Sequence, residues 1–359
     1  MVVLNIKERV LITSITKLPR IALGNFPTPL VDASNLSATL DGPHILIKRD
    51  DLTGLAFGGN KCRKLEFVMA EAQQKRIDTL ITTGGTQSNF AIQMAIAARK
   101  LEMEAYLVLF KGVHVEKQGN LLLNNIVNSN IRLFETSDIS KDTRSPDQDV
   151  FGSDMMAKLN TISEELRKKG RKPMIIPAGA YNPVGTTGWV DAVDEIWQQL
   201  QAQKIDAKYL VVASGSSGTQ AGLTLGVKYL KLPIKVIGFS VSSNKERTIG
   251  RVVSMANETA KFLGMDVVVT PEDVIAYDDY IGEGYGIITD CCLRAIKLVA
   301  KTEGIFLDPV YTGKSMAGLI DLIEKGYFKA SDNIVFIHTG GVAALFAYHR
   351  EITKGLVVN

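Results

Sequence analysis

The feature that most narrows what this chain can fold into is an alternation. Short runs rich in Ile, Val and Leu are each followed by a turn and then by a stretch with helical spacing. Strands are predicted at 45–48, 79–83, 105–110, 131–135, 174–177, 209–213, 235–240 and 333–338. Helices are predicted from 61, at 89–100, 120–128 and 155–169, after 188, after 222, and at 290–302 and 314–324. Strands separated by helices, with no internal repeat, specify an α/β protein with largely parallel open sheets and helices on both faces. Ligands in such sheets bind beyond the carboxyl ends of the strands. Three glycine-rich loops, starting at Gly84, Gly179 and Gly215, each follow a predicted strand and precede a helix, so they are expected at one site.

Composition excludes several classes of function. A chain of 359 residues, 46% hydrophobic and 22% charged, has the balance of a globular protein of about two domains. A net charge of +3, with no basic stripe bearing aromatics, argues against nucleic acid and against an acidic membrane surface as partners. Lys7, Glu8 and Arg9 interrupt the N-terminus before any signal core forms, and no segment approaches the roughly 20 apolar residues of a membrane span. Cys62, Cys291 and Cys292 lack metal-ligand spacing, and His44, His114, His338 and His349 are scattered, so no metal site is expected. The expected compartment is the cytoplasm. Residues 18–30 carry three prolines and read as an extended arm, and the polar stretch 135–154, with Pro146, reads as a surface loop.

Chemistry concentrates around Gly58-Gly59-Asn60-Lys61. Leu65, Val68, Met69 and Ala72 follow at helical spacing, so Asn60 is placed as N-cap and Lys61 in the first turn. A helix N-terminus disfavours an ammonium, and a lysine with a lowered pKa is what attack on a carbonyl requires. Ser214–Gly222 is a cradle for an anion: glycines allow close backbone approach, hydroxyls donate, and a helix N-terminus aims amides at the ligand. It is neither a Walker loop nor a dinucleotide fingerprint, because no Gly-Lys-Ser/Thr follows and its glycines fall at 215, 218 and 222. Gly84–Asn89 forms a second nest suited to a carboxylate. An amine nucleophile, a phosphate cradle and a carboxylate cradle together describe pyridoxal 5'-phosphate acting on an amino acid.

Residues 57–67, 82–89 and 214–222, with Asp308-Pro309-Val310-Tyr311-Thr312-Gly313-Lys314-Ser315 and His338-Thr339-Gly340-Gly341, resemble the family of D-cysteine desulfhydrases and 1-aminocyclopropane-1-carboxylate deaminases. The likeness runs from about Leu18 to the C-terminus. It implies the two-domain fold type II of pyridoxal-phosphate enzymes, similar to the tryptophan synthase β chain, and a homodimer. Residues 1–61 and 173–359 would form the large cofactor-binding domain and 62–172 the small one.

By the same resemblance, Lys61 is the Schiff-base lysine that also moves protons at the substrate α-carbon. Lys48 and Lys64 are its rivals, with Lys64 expected to face solvent or an acidic partner. Asn89 meets the cofactor's phenolic oxygen. Ser216, Ser217, Gly218 and Thr219 hold its phosphate, and Thr312 stands at its pyridine nitrogen. Ser88, Tyr285 and Tyr311 face the reacting substrate. Thr86, Gln87, Tyr181 and Thr339 are assigned with Ser88 to substrate binding.

Two positions separate the subfamilies. The deaminases carry glutamate and leucine where this chain has Thr312 and Thr339. A carboxylate would keep the pyridine nitrogen protonated and strengthen the electron sink that ring opening needs, whereas a threonine need not. The expected reaction is therefore β-elimination, D-cysteine giving pyruvate, hydrogen sulfide and ammonia. The alternatives are the deaminase, an eliminase acting on L-cysteate or D-serine, or a cofactor-carrying protein without catalysis. Tyr181 and Trp189 depart from the usual desulfhydrase pattern, which leaves the substrate open at that loop.

Overall fold

A computed structural model of the chain describes residues 13–112, 114–135 and 153–357. The surface loop expected at 135–154 falls almost wholly on 136–152, outside the described residues. Ten strands are described: β1 (Leu30–Asp32), β2 (His44–Lys48), β3 (Thr79–Gly85), β4 (Glu104–Phe110), β5 (Asn130–Phe134), β6 (Pro173–Ile175), β7 (Ala207–Ser214), β8 (Lys235–Ser240), β9 (Ile275–Tyr277) and β10 (Asn333–Ile337). They form two sheets, one of six strands in the order β1-β2-β10-β7-β8-β9 and one of four in the order β5-β4-β3-β6. Every described pairing is parallel except β1 with β2.

Strand periodicity divides the core of the large sheet into two layers. Ile45, Ile47, Val211, Ile237, Phe239, Ile334 and Phe336 join one cluster, which includes residues of helices Asp290–Glu303 and Thr312–Glu324. Their neighbours Leu46, Leu210, Val212, Val236, Val335 and Ile337 join another, with helices Pro183–Gln203 and Gly218–Tyr229. The small sheet is likewise double-sided. Leu80, Ala105, Leu107 and Leu109 meet helices Lys61–Gln74 and Asn89–Lys100, and Ile81, Val108 and Phe110 meet helix Ser153–Lys168. Strands covered on both faces need continuous apolar runs, which is why they are legible as such.

Three local departures from the sequence expectation have physical causes. The helix after the Gly179 loop starts at Pro183 rather than after Gly188, because Asn182 Oδ1 caps the Gly185 N–H at 2.7 Å and Pro183 fits the first turn. Gly188 serves helix contact instead, since a Cβ there would stand 2.3 Å from the Arg63 carbonyl oxygen. A helix occupies Lys245–Leu263, capped by Asn244 and ended by Gly264, in a stretch read without one. Strand β6 joins the four-stranded sheet although it begins at residue 173, where the large domain was expected to resume.

The arm before β2 is fixed by buried charge. Arg63 bonds both Asp50 oxygens, at 2.7 and 2.9 Å, and reaches Glu195 at 2.8 Å. Lys48 reaches Glu195 as well and donates to the Thr28 carbonyl. Burial alone would raise the Glu195 carboxyl, but Arg63 and then Lys48 outweigh it and hold Glu195 down at about 2. Lys48 is thereby spent in the fold and is no rival to Lys61.

Candidate active site

Helix Lys61–Gln74 begins on a turn that only glycine can make. Gly58 and Gly59 have φ of 75° and 133°, and a Cβ on Gly58 would stand 1.8 Å from the Asp51 carbonyl oxygen. The turn is pinned from three sides. Asn60 N–H donates to the Thr339 carbonyl at 3.1 Å, the Asn60 carbonyl accepts from the Trp189 indole at 3.1 Å, and Gln93 donates to the Gly58 carbonyl. Asn60 does not cap through its side chain as expected. Its Nδ2 donates instead to Thr219 Oγ1 at 2.9 Å, tying the lysine helix to the Ser214–Gly222 loop. Trp189, fully buried, supports the backbone behind Lys61 and does not line the cavity.

Lys61 opens onto a cavity of about 530 Å³. All three glycine-rich loops line it through residues 84–89, Ala178 and Gly179, and 213–217 with Thr219. Burial depresses the Lys61 ammonium to about 8, so a sizeable fraction of neutral amine exists near neutral pH.

Lys64 overturns its expectation. Residues 62–70 are all buried, so this part of the helix offers no solvent face, and Lys64 is fully enclosed. Its Nζ donates to the Gly179 carbonyl at 3.1 Å, and a Cβ on Gly218 would lie 2.6 Å from it. No carboxylate pairs with Lys64 among the described residues. Burial, and then the charge on Lys61, push its ammonium well below the ordinary lysine value. A buried amine without a carboxylate partner, beside the first residue of helix Gly218–Tyr229, suits an anionic ligand at that helix end. The signal was in the sequence: Lys64 lies three residues after Lys61, so the two share a helix face.

Loop 84–89 carries its chemistry mainly in the backbone. Thr86 Oγ1 donates to the His114 carbonyl at 2.6 Å. Gln87 is held at both ends, donating to the Gln118 carbonyl and accepting from Asn120 N–H. Ser88 Oγ caps the next helix by accepting from Ala91 N–H, which leaves its proton free to donate. Asn89 Oδ1 accepts from Asn120 Nδ2 at 2.7 Å, so its amide hydrogens are those available to a ligand. Across the cavity Tyr285 and Tyr311 share a hydroxyl hydrogen bond of 2.5 Å. Burial raises both phenols, and the neighbouring Tyr285 raises Tyr311 further, so both are protonated at neutral pH.

A model of the pyridoxal-phosphate dependent enzymes matches residues 21–340. The chain belongs to that family. It is 40% identical over 343 residues to D-cysteine desulfhydrase of Salmonella choleraesuis, with 94% of this chain and 98% of that one covered. It is 41% identical over 338 residues to a Pyrococcus horikoshii protein provisionally named 1-aminocyclopropane-1-carboxylate deaminase, with 94% and 96% covered. The structure of an ACC deaminase homologue aligns with a TM-score of 0.85 at 38% identity, over 96% of this chain and 98% of that one. Threonine deaminase isoform 2 of Solanum lycopersicum shares the fold, with a TM-score of 0.66 at 19% identity, over 97% and 88%.

This pyridoxal-phosphate enzyme is thus a lyase of fold type II, and its site fits the cofactor. The orphaned Lys64 cation and the helix N-terminus at Gly218 suit a phosphate, and Lys61 supplies an amine of lowered pKa. Lys61, Asn89, Ser216, Ser217, Thr219, Tyr285, Tyr311 and Thr339 all line the same cavity. Three expected residues do not. Tyr181 points away, its hydroxyl donating to the Arg251 carbonyl at 2.8 Å while its ring joins the cluster around Val252 and Met255. Thr312 is fully buried behind the wall, donating to Asp308 Oδ1 and accepting from Asp308 N–H, each at 2.7 Å. Gly218 also stands behind the lining, under Lys64.

Proposed function

We propose that this lyase removes the β-substituent of a small amino acid, with D-cysteine as the preferred substrate: D-cysteine and water give pyruvate, hydrogen sulfide and ammonia. The observation that carries the choice is position 312. It holds a hydroxyl whose proton goes to Asp308, and Glu283 is the one carboxylate among the described residues lining the cavity. Nothing there clamps a protonated pyridine nitrogen as a glutamate at 312 would. An elimination that expels a good leaving group has less need of that clamp than the opening of an unactivated ring.

Pyridoxal phosphate, when bound, supplies an electron sink for negative charge at the substrate α-carbon. Ser216, Ser217, Gly218 and Thr219 would hold its phosphate with their backbone and hydroxyl donors, with Lys64 behind them. Asn89 donates its amide hydrogens to the phenolic oxygen. The nest at 84–89, with the Ser88 hydroxyl, receives the substrate carboxylate, Thr86 and Gln87 contributing backbone because their side chains are engaged elsewhere. Lys61 takes the α-proton, a task that suits an amine near 8. The Tyr285–Tyr311 pair, kept protonated by burial, would donate to the departing sulfur.

The cavity lies between the two sheets, and we read the smaller unit as running from the Lys61 helix through β6, with the rest as the cofactor-binding domain. A homodimer is supported by exposed Phe57, Leu122, Ile126 and Phe346, of which the last three sit on helices that pack together. A cytoplasmic setting agrees with three free cysteines.

Product identification tests the reaction. Purified protein with pyridoxal phosphate is given D-cysteine, L-cysteine, D-serine, L-cysteate and 1-aminocyclopropane-1-carboxylate separately. Pyruvate and sulfide from D-cysteine, without 2-oxobutyrate from the cyclopropane, is expected. Substantial 2-oxobutyrate would overturn the reading of position 312, and pyruvate from D-serine or L-cysteate alone would keep elimination but replace the substrate.

A further inference from the structure

His114 lies on the cavity wall, 14% exposed, in a segment far in sequence from every motif of the site. Three contacts fix it. Its carbonyl accepts the Thr86 hydroxyl, which joins its backbone directly to the 84–89 nest. Its ring packs edge-on against Tyr348 with centroids 4.1 Å apart, and Tyr348, also on the wall, donates to the Gly286 carbonyl. Its Nε2 stands 3.0 Å from Glu351 Oε1, at an angle short of an aligned hydrogen bond.

Glu351 belongs to helix His349–Val357, and that helix is tied to the same loop a second time by Arg350 with Glu116 at 3.0 Å. His114 Nδ1 has no partner among the described residues. A carboxylate against one ring nitrogen turns the other toward whatever occupies the cavity. Both contacts hold the C-terminal helix against the loop that carries His114.

We propose that His114, oriented by Glu351, is a substrate-binding residue that donates from Nδ1 to the α-carboxylate of the bound amino acid. The proposal rests on the reading of 84–89 as the carboxylate nest. It makes the C-terminal helix part of the substrate site, with Glu351 as a positioning residue. The contribution of His114 is a charge-assisted hydrogen bond added to the backbone donors of the nest.

The test separates the carboxylate from the rest of the substrate. Alanine, which has no leaving group, and ethylamine, which has no carboxylate, are titrated into holoenzyme, and binding is read from the cofactor absorption band. In H114N the dissociation constant for alanine should rise by about tenfold, the scale of one charge-assisted hydrogen bond, with that for ethylamine unchanged. E351Q should give a smaller rise of the same kind. Unchanged alanine affinity in H114N overturns the proposal. Equal losses for alanine and ethylamine would also overturn it, by showing that the ring only supports the wall. Neither readout needs turnover. A wild-type enzyme that binds alanine but makes no pyruvate from any substrate would defeat the proposed reaction and leave His114 to be judged on binding.

Discussion

The two walls of the cavity are built on opposite plans. The 214–219 wall is backbone and helix end, drawn from one continuous stretch, with a single buried lysine behind it. The facing wall is held by side chains that reach across distant segments: Thr86 to the His114 carbonyl, Gln87 to the Asn120 N–H, Tyr348 to the Gly286 carbonyl, and Tyr285 to Tyr311 through their hydroxyls. The cofactor's phosphate is the same whatever the substrate, so a rigid preformed cradle serves it. The reacting end must discriminate, and interlocked side chains can be retuned one residue at a time. The first wall should therefore tolerate no change quietly, and the second should change preference before it loses activity.

The sharpest way to separate the walls is to remove the amine between them. Lys61→Ala should lower turnover by at least about 10³-fold, the range of a lost proton-transfer group. The protein should still take up pyridoxal phosphate, now released by gel filtration because no covalent bond holds it. In the wild type stripped of cofactor, re-attachment should quicken as pH rises through about 8, since the amine attacks only when neutral. Absorption after adding cofactor at several pH values measures this. A rate that rises only near pH 10 would mean that the lysine is not depressed.

A smaller and more diagnostic effect is expected at Lys64. In the empty protein this buried amine has no counter-charge and its folded pKa is depressed, so it costs stability wherever the pH lies below its unfolded pKa. Lys64→Met should therefore raise the melting temperature of the apo protein by a few degrees. It should also weaken cofactor binding by about 10- to 100-fold, as expected for losing a hydrogen bond to a charged group. Opposite signs in the two forms are the signature. If apo and holo proteins both lost stability, Lys64 would be a packing residue and the cradle would be neutral.

The same contrast explains what could be read before the fold was known. The parallel sheets were legible because strands covered on both faces, such as β7 with Leu210 to Ala213, must be apolar at every position. The phosphate wall was legible because a helix N-terminus and its glycines lie within nine residues of sequence. Lys64 was misjudged because Leu65, Val68 and Met69 suggested one buried face, whereas the helix is enclosed on all sides over residues 62–70. His114 and Glu351 could not be paired from spacing at all. They are 237 positions apart and meet only because the C-terminal helix returns to the small sheet's loops.

Tyr181 provides the finest test, because sequence and structure disagree about which wall it belongs to. Its departure from the desulfhydrase pattern placed it at the substrate. Its hydroxyl instead holds the Arg251 carbonyl, and its ring lies 3.5 Å from where a Cβ on Gly218 would be, on the phosphate side. Tyr181→Phe removes the hydrogen bond and keeps the ring. It should cost about 1 kcal/mol of stability and leave the ratio of kcat/KM for D-cysteine over D-serine within about twofold. Tyr181→Ser removes the ring as well, and any further loss should appear in cofactor affinity rather than in that ratio. A tenfold change in substrate preference in either variant would return Tyr181 to the discriminating wall. The division of labour between the two walls would then fail at Tyr181.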